Sequence, residues 1–227
     1  MIPRTFASLL LALAVTSPLT ANAQSLMDAP PLEGRVEGRM YHSPRGSYSV
    51  QIPVLAELGG TIVDTETVVT FQDSLSVHAS IACFAMDATQ RWENETRGRK
   101  DYLIWFFTHF VQLDFQQRFP GSQAQPNAKF LPTVQDGALL TYNLLPGGSM
   151  FADRLILTSG EEQPVAKRGN LLFVKNENIY ILSIELAERV LDRTTWDKTT
   201  EQEDEVLRKR LLDLLGKMQF PEPPAKP

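Results

Sequence analysis

The chain has 227 residues with 22 basic and 27 acidic side chains, a net charge of −5, and 43% of its positions hydrophobic. That composition excludes collagen, coiled coil and wholesale disorder, and the acidic balance argues against nucleic acid as a partner. A single domain of this length buries a sizeable core without disulfides or structural metals.

In chain order, the first element is a leader. Met1 to Ala23 carries one base, Arg4, and no acid; an apolar stretch from Phe6 to Val15 follows, then the small residues Ala21 and Ala23. This is the pattern of a cleaved secretory signal, with Gln24 as the expected new N-terminus. The apolar stretch, followed by Ser17 and Pro18, is too short to cross a bilayer, so the mature chain is expected to have no membrane span. Gln24, not a cysteine, stands directly after the cleavage point, so no N-terminal cysteine is there to accept a lipid. The short, weakly charged leader points to the bacterial periplasm, or to secretion beyond it. Residues 24–37, with Pro30, Pro31 and Gly34 and no apolar period, are expected to be mobile. A single domain is expected over residues 38–220, and Pro221–Pro227 is a proline-rich tail that continues neither a helix nor a central strand.

Arg39–Ser43 and Ser47–Pro53 flank Pro44-Arg45-Gly46 and predict a hairpin. Thr67–Gln72 and Ser76–Phe84 predict a second strand pair across Asp73-Ser74-Leu75. In the second of these, Val77, Ala79, Ile81 and Cys83 share one face. Cys83, the only cysteine, therefore reads as a buried thiol, and His78 on the other face as a partly exposed ring. Ten of the 14 residues from Tyr102 to Phe115 are apolar, and Leu103, Phe106, Phe107, Phe110 and Val111 repeat with helical period. This predicts a helix over 98–118 that buries those five residues and ends at Pro120-Gly121. Segments 128–135, 138–145, 151–158, 169–175 and 179–187, separated by short turns, predict a five-stranded meander. Thr200 and Glu203 read as the capping box of a last helix, with Leu207, Leu211, Leu214, Leu215 and Met218 on its buried face. Together these elements predict an α+β fold: an antiparallel β-sheet of about six or more strands covered by helices.

The opening hairpin, Tyr41-His42-Ser43-Pro44-Arg45-Gly46-Ser47-Tyr48-Ser49-Val50-Gln51-Ile52-Pro53, resembles the start of Mog1/PsbP-like domains. The order of elements through Met218-Gln219-Phe220 is similar too, so the resemblance spans about residues 38 to 220. It implies an α/β/α sandwich that serves as a binding or assembly module, and it brings over no catalytic residue. Members of the family bind quite different partners, so fold alone selects none.

The residues themselves offer no reaction. There is no G-x-S-x-G elbow, and Gly147-Gly148-Ser149 after Pro146 reads as a turn. His42, His78 and His109 have no metal-ligand spacing, and the acids from Glu201 to Glu205 suit a helix N-terminus better than calcium. No catalytic residue, cofactor or metal is assigned. Two features remain. Arg97, Arg99 and Lys100 precede a helix, where free backbone N–H groups favour an anion or an acidic partner. Trp105, Phe115 and Phe119 lie on the flank of Thr108 and Gln112, away from Phe106, Phe107 and Phe110, and form a partner contact unless the leader or a loop covers them. The leading expectation is a soluble, secreted, non-enzymatic module that binds an envelope protein. The alternative is a small-ligand carrier or sensor with a pocket between the aromatic helix and the sheet. A third reading, an unrecognised hydrolase, has no nucleophile, metal or cofactor signature behind it.

Overall fold

The structure is a computed structural model and describes residues 31–147, 164–192 and 195–222. Its strands are β1 (Arg35–Glu37), β2 (Met40–His42), β3 (Ser49–Gln51), β4 (Thr61–Asp64), β5 (Val68–Gln72), β6 (His78–Ala85), β7 (Gln123–Ala124), β8 (Lys129–Leu131), β9 (Ala138–Pro146), β10 (Val165–Lys175), β11 (Asn178–Glu185) and β12 (Met218–Gln219). The helices are α1 (Ala88–Arg97), α2 (Arg99–Phe106), α3 (Gln112–Arg118), α4 (Ala187–Leu191) and α5 (Thr200–Gly216).

Among the described residues, eight strands form one sheet in the order β4-β5-β6-β11-β10-β9-β7, with β8 also pairing β9; β1-β2-β3-β12 form a second, smaller sheet. Every pairing is antiparallel. The fold class is thus α+β, as the element pattern predicts. Strand alternation sorts the core into two layers. Val69, Phe71, Ile81, Cys83, Leu171, Phe173, Tyr180 and Leu182 face α5 and the small sheet, whose Tyr41, Tyr48 and Val50 close that layer. Leu139, Leu172, Val174 and Ile179 face α2 and α3 on the other side.

The α5 layer follows the sequence closely. Leu207, Leu211, Leu214, Leu215 and Met218 are all buried. Gly169 in β10 lets α5 approach, since a Cβ there would stand 3.1 Å from Leu207 Cβ and Leu211 Cδ1. The capping box sits one residue earlier than expected. Thr199 is the N-cap and its side chain accepts from the Gln202 amide, while Gln202 accepts from the Thr199 amide. Glu203 is thereby freed to turn inward, where it accepts from Lys167 Nζ (3.0 Å), Arg189 Nη1 (2.8 Å) and Trp196 Nε1 (2.9 Å). Lys167, wholly buried, also meets Asp204 at 2.7 Å.

Four further expectations change. β1 begins inside the segment read as a mobile leader, because Asp64 accepts from the Glu33 and Gly34 amides and from Tyr41 Oη. The predicted meander is present in its described strands, β8-β9-β10-β11, but β9 pairs directly with β10, where a strand over 151–158 is expected to intervene, and β11 also pairs β6; the segment 151–158 itself lies outside the described residues. α1, unpredicted, is held by a box in which Asp87 accepts from the Gln90 amide at 2.7 Å, and no residue of it is buried. Gly98, at φ +78°, then breaks the chain between α1 and α2, a conformation that glycine adopts at little cost.

The fourth change concerns the aromatic helix. α2 and α3 are joined by a π-helical turn, Phe107–Val111, in which the Gln112 amide bonds to the Phe107 carbonyl five residues back. The extra residue rotates everything beyond it relative to a 3.6-residue period. Phe110, expected on the buried face, is therefore 46% exposed, and Gln112 and Phe115 turn inward.

Candidate functional site

The same π turn helps to shape a cleft of about 700 Å³ between the aromatic helix and the sheet. Three adjacent strands make its floor, each contributing alternate residues. β6 presents His78, Ser80, Ala82 and Phe84; β5 presents Thr70 and Val68; β11 presents Ser183 and Ile181. Register aligns them: Thr70 lies opposite Ser80 and Ser80 opposite Ser183, while Val68 lies opposite Ala82 and Ala82 opposite Ile181. The floor is thus hydroxyl-lined toward His78 and apolar toward Phe84. Phe106, Phe110, Phe115 and Phe119 supply the opposite wall.

The polar end is organised by charge pairs and hydrogen bonds. Arg168 Nη2 donates to Glu185 Oε2 at 2.9 Å, and its guanidinium lies 5.5 Å from the centre of the Phe115 ring. His78 Nδ1 is 3.4 Å from the same Glu185 oxygen. Burial lowers the His78 pKa below its ordinary value; the hydrogen bond and charge of Glu185 oppose that shift and Arg168 reinforces it. The ring is buried, not partly exposed as expected, because β11 runs alongside and brings Glu185 over it. Behind the floor a buried chain of side chains fixes the helix to the sheet. Ser183 Oγ donates to Asn170 Oδ1 (2.8 Å), Asn170 Nδ2 to Asn143 Oδ1 (3.0 Å), and Asn143 Nδ2 to Gln112 Oε1. At the rim, Asp114 accepts from Arg118 Nε at 2.9 Å and Asp87 caps α1.

Such a cleft has the shape and lining to suit an elongated molecule with an apolar body and a hydrogen-bonding end. Its volume is in the range of small-molecule sites. Among the described residues no group of three His, Cys, Asp or Glu side chains is placed to hold a metal, and no helix is long and apolar enough to cross a membrane. Cys83 faces the other layer, its Sγ 3.3 Å from Ser47 Oγ, and burial raises its thiol pKa.

The residues singled out in the sequence are dispersed. Arg97 ends α1, pairs with Glu93 and lies 5.3 Å over the Trp105 ring. Arg99 donates to the Val174 carbonyl at 2.8 Å beside a different depression, near Asp136 and Lys175. Lys100 is exposed. Trp105 is half-buried, with the His109 ring 5.4 Å away and the His109 Nδ1 at 2.8 Å from the Trp105 carbonyl. Of the five, only Phe115 lines the cleft. A pocket between helix and sheet is expected from the sequence, but not the residues of its floor. The signal was present: His-x-Ser-x-Ala-x-Phe over residues 78–84 changes from polar to apolar along one strand face, as do the neighbours on β5 and β11.

No family model matches the sequence, and no curated protein matches it. Among solved structures the chain is similar to cyanobacterial PsbP (CyanoP) from Synechocystis sp. PCC 6803, with 13% identity, covering 83% of this chain and 98% of that one, at a TM-score of 0.49. It is also similar to the Saccharomyces cerevisiae Ran-binding protein Mog1p, with 9% identity, 84% and 96% coverage and a TM-score of 0.45. A Bacteroides thetaiotaomicron protein is matched at 9% identity, 82% and 50% coverage and a TM-score of 0.43. PsbP and Mog1 are the families that the Tyr41–Pro53 hairpin resembles, and the antiparallel α+β architecture described above is the one that resemblance implies.

Proposed function

We propose that this chain is a secreted, non-enzymatic binding module of the bacterial envelope, and that the cleft beneath the aromatic helix is where it binds. The leader composition supports the address. The observation that carries the binding reading is the cleft itself: about 700 Å³ of space left between four phenylalanines and a floor that grades from hydroxyl to apolar. A mostly apolar cleft of this volume, with a few polar groups placed at one end, has the make-up of small-molecule sites.

A neutral fluorescent probe, 1-N-phenylnaphthylamine, tests this. Its emission rises on entering an apolar site, and it is expected to bind this protein with one-site saturation. Ala82 lies on the open floor, so Ala82→Phe fills the cleft while removing no structural contact. The variant should lose the signal and keep its melting temperature. Equal enhancement by both proteins would place the probe elsewhere and overturn the reading.

A second reading, docking of an envelope protein over the same region, is favoured by Phe110, Ile104 and Leu113, all exposed on the aromatic helix. A photoreactive residue at Phe110 in intact cells is expected, on that reading, to trap one dominant envelope protein; an unpatterned background of adducts counts against it.

A further inference from the structure

The cleft's charge balance and its spare hydrogen-bond donors define the ligand more narrowly than its shape does. Resting on the reading of the cleft as the binding site, we infer that the ligand is an uncharged amphiphile, its chain lying along β6 and its acceptor-bearing head at Thr70 and Ser80.

The direction comes from the floor. From His78 to Phe84 one face of β6 runs about 20 Å at strand rise, polar for its first half and apolar for its second, with β5 and β11 changing in register beside it. Only an elongated molecule that is itself polar at one end matches such a floor along its length. A wholly apolar guest would leave the hydroxyls of Thr70 and Ser80 desolvated, and a wholly polar one would strand the phenylalanines.

The absence of charge comes from pairing. The Arg168 guanidinium already has the Glu185 carboxylate at 2.9 Å, and Arg118 has Asp114 at 2.9 Å. An anionic head seated against Arg168 would stand beside the buried Glu185 carboxylate, and one of the two would be driven to take up a proton. A cationic head would meet the Arg168 guanidinium itself. An uncharged head escapes both penalties and still finds donors. The Thr70 and Ser80 hydroxyls make no hydrogen bond to any other described residue. Arg168 uses one of its five N–H groups on Glu185. Ester carbonyls, ethers or hydroxyls of the head would accept from them.

The test is displacement of 1-N-phenylnaphthylamine from the purified protein by three ten-carbon amphiphiles below their micellar concentrations: monodecanoylglycerol, decanoate and decyltrimethylammonium. The uncharged compound is expected to displace the probe at a concentration at least tenfold below either ion, with less than a twofold change between 50 and 500 mM salt. In Thr70→Val/Ser80→Ala, which keeps the floor's shape, that advantage should fall to about threefold or less while the probe binds as before. Displacement by decanoate at an equal or lower concentration, or an unchanged advantage in the double variant, overturns the inference and leaves the cleft as the binding site. Failure of the probe to bind removes the cleft reading and the inference together.

Discussion

Glu203 shows how one buried carboxylate organises its surroundings. It is almost fully buried and gathers Lys167, Arg189 and Trp196 from β10, α4 and the approach to α5. Removing it leaves Lys167 with Asp204 and the Thr200 carbonyl, and takes from Arg189 the Glu203 carboxylate. Glu203→Ala should lose about 3 kcal/mol of stability, as expected when one partner of a buried ion pair is deleted. Urea unfolding measures this, and a loss under about 1 kcal/mol would show the pairing to be incidental. Gly169 gives the opposite kind of test. Gly169→Val forces a branched side chain against Leu207 and Leu211, and a destabilisation of about 2 kcal/mol is expected from overpacking. At His78 the expectation concerns pH. Burial lowers its folded pKa, so the neutral ring is favoured in the folded state, while the unfolded chain takes up a proton near pH 6.5. The stabilising contribution is full above that unfolded value. It is lost progressively as pH falls from about 6.5 toward the lower folded pKa. The melting-temperature difference between wild type and His78→Gln should therefore shrink on acidification from pH 7.5 to 5; a constant difference contradicts the assignment.

At the scale of elements, the π turn is the feature on which the cleft depends. Deleting Thr108, an exposed residue of that turn, should restore a regular α-helix and carry Phe110 back to the buried face. The variant is expected to fold, with unchanged helical circular dichroism, and to lose 1-N-phenylnaphthylamine binding; retained binding would show the turn to be irrelevant to the site. This is also where the sequence stopped being legible. The Tyr41–Pro53 hairpin, the β5–β6 pair and the leucine face of α5 follow from turn chemistry and period, and each is present. The five-residue stripe of the aromatic helix fails at Phe110, while Val111 is buried as expected, because one inserted residue leaves no mark in a 3.6-residue pattern. α1 was missed for another reason. Asp87 and Gln90 form a capping box readable in the sequence, but the helix buries nothing and so has no apolar period. The floor went unread because its meaning lies in three strands at once, and only their register brings Thr70, Ser80 and Ser183 into a row.

At the scale of the whole molecule, the two faces of the large sheet do different work. The α5 face is closed by leucines, tyrosines and the small sheet into a continuous core. The opposite face is covered by a helix that carries aromatic bulk, yet is held off the floor of β5, β6 and β11, leaving the cleft between them. A second groove of about 490 Å³ lies by the small sheet, near His42, Tyr48 and Phe220. The central claim, that binding occurs under the aromatic helix, is tested most directly by mapping amide chemical-shift changes on titration with monodecanoylglycerol. The account predicts perturbations centred on Thr70, Ser80, Ala82, Ile181 and Phe115, absent in Ala82→Phe. Shifts confined to the groove around His42 and Phe220, or shifts unaltered by Ala82→Phe, would contradict it.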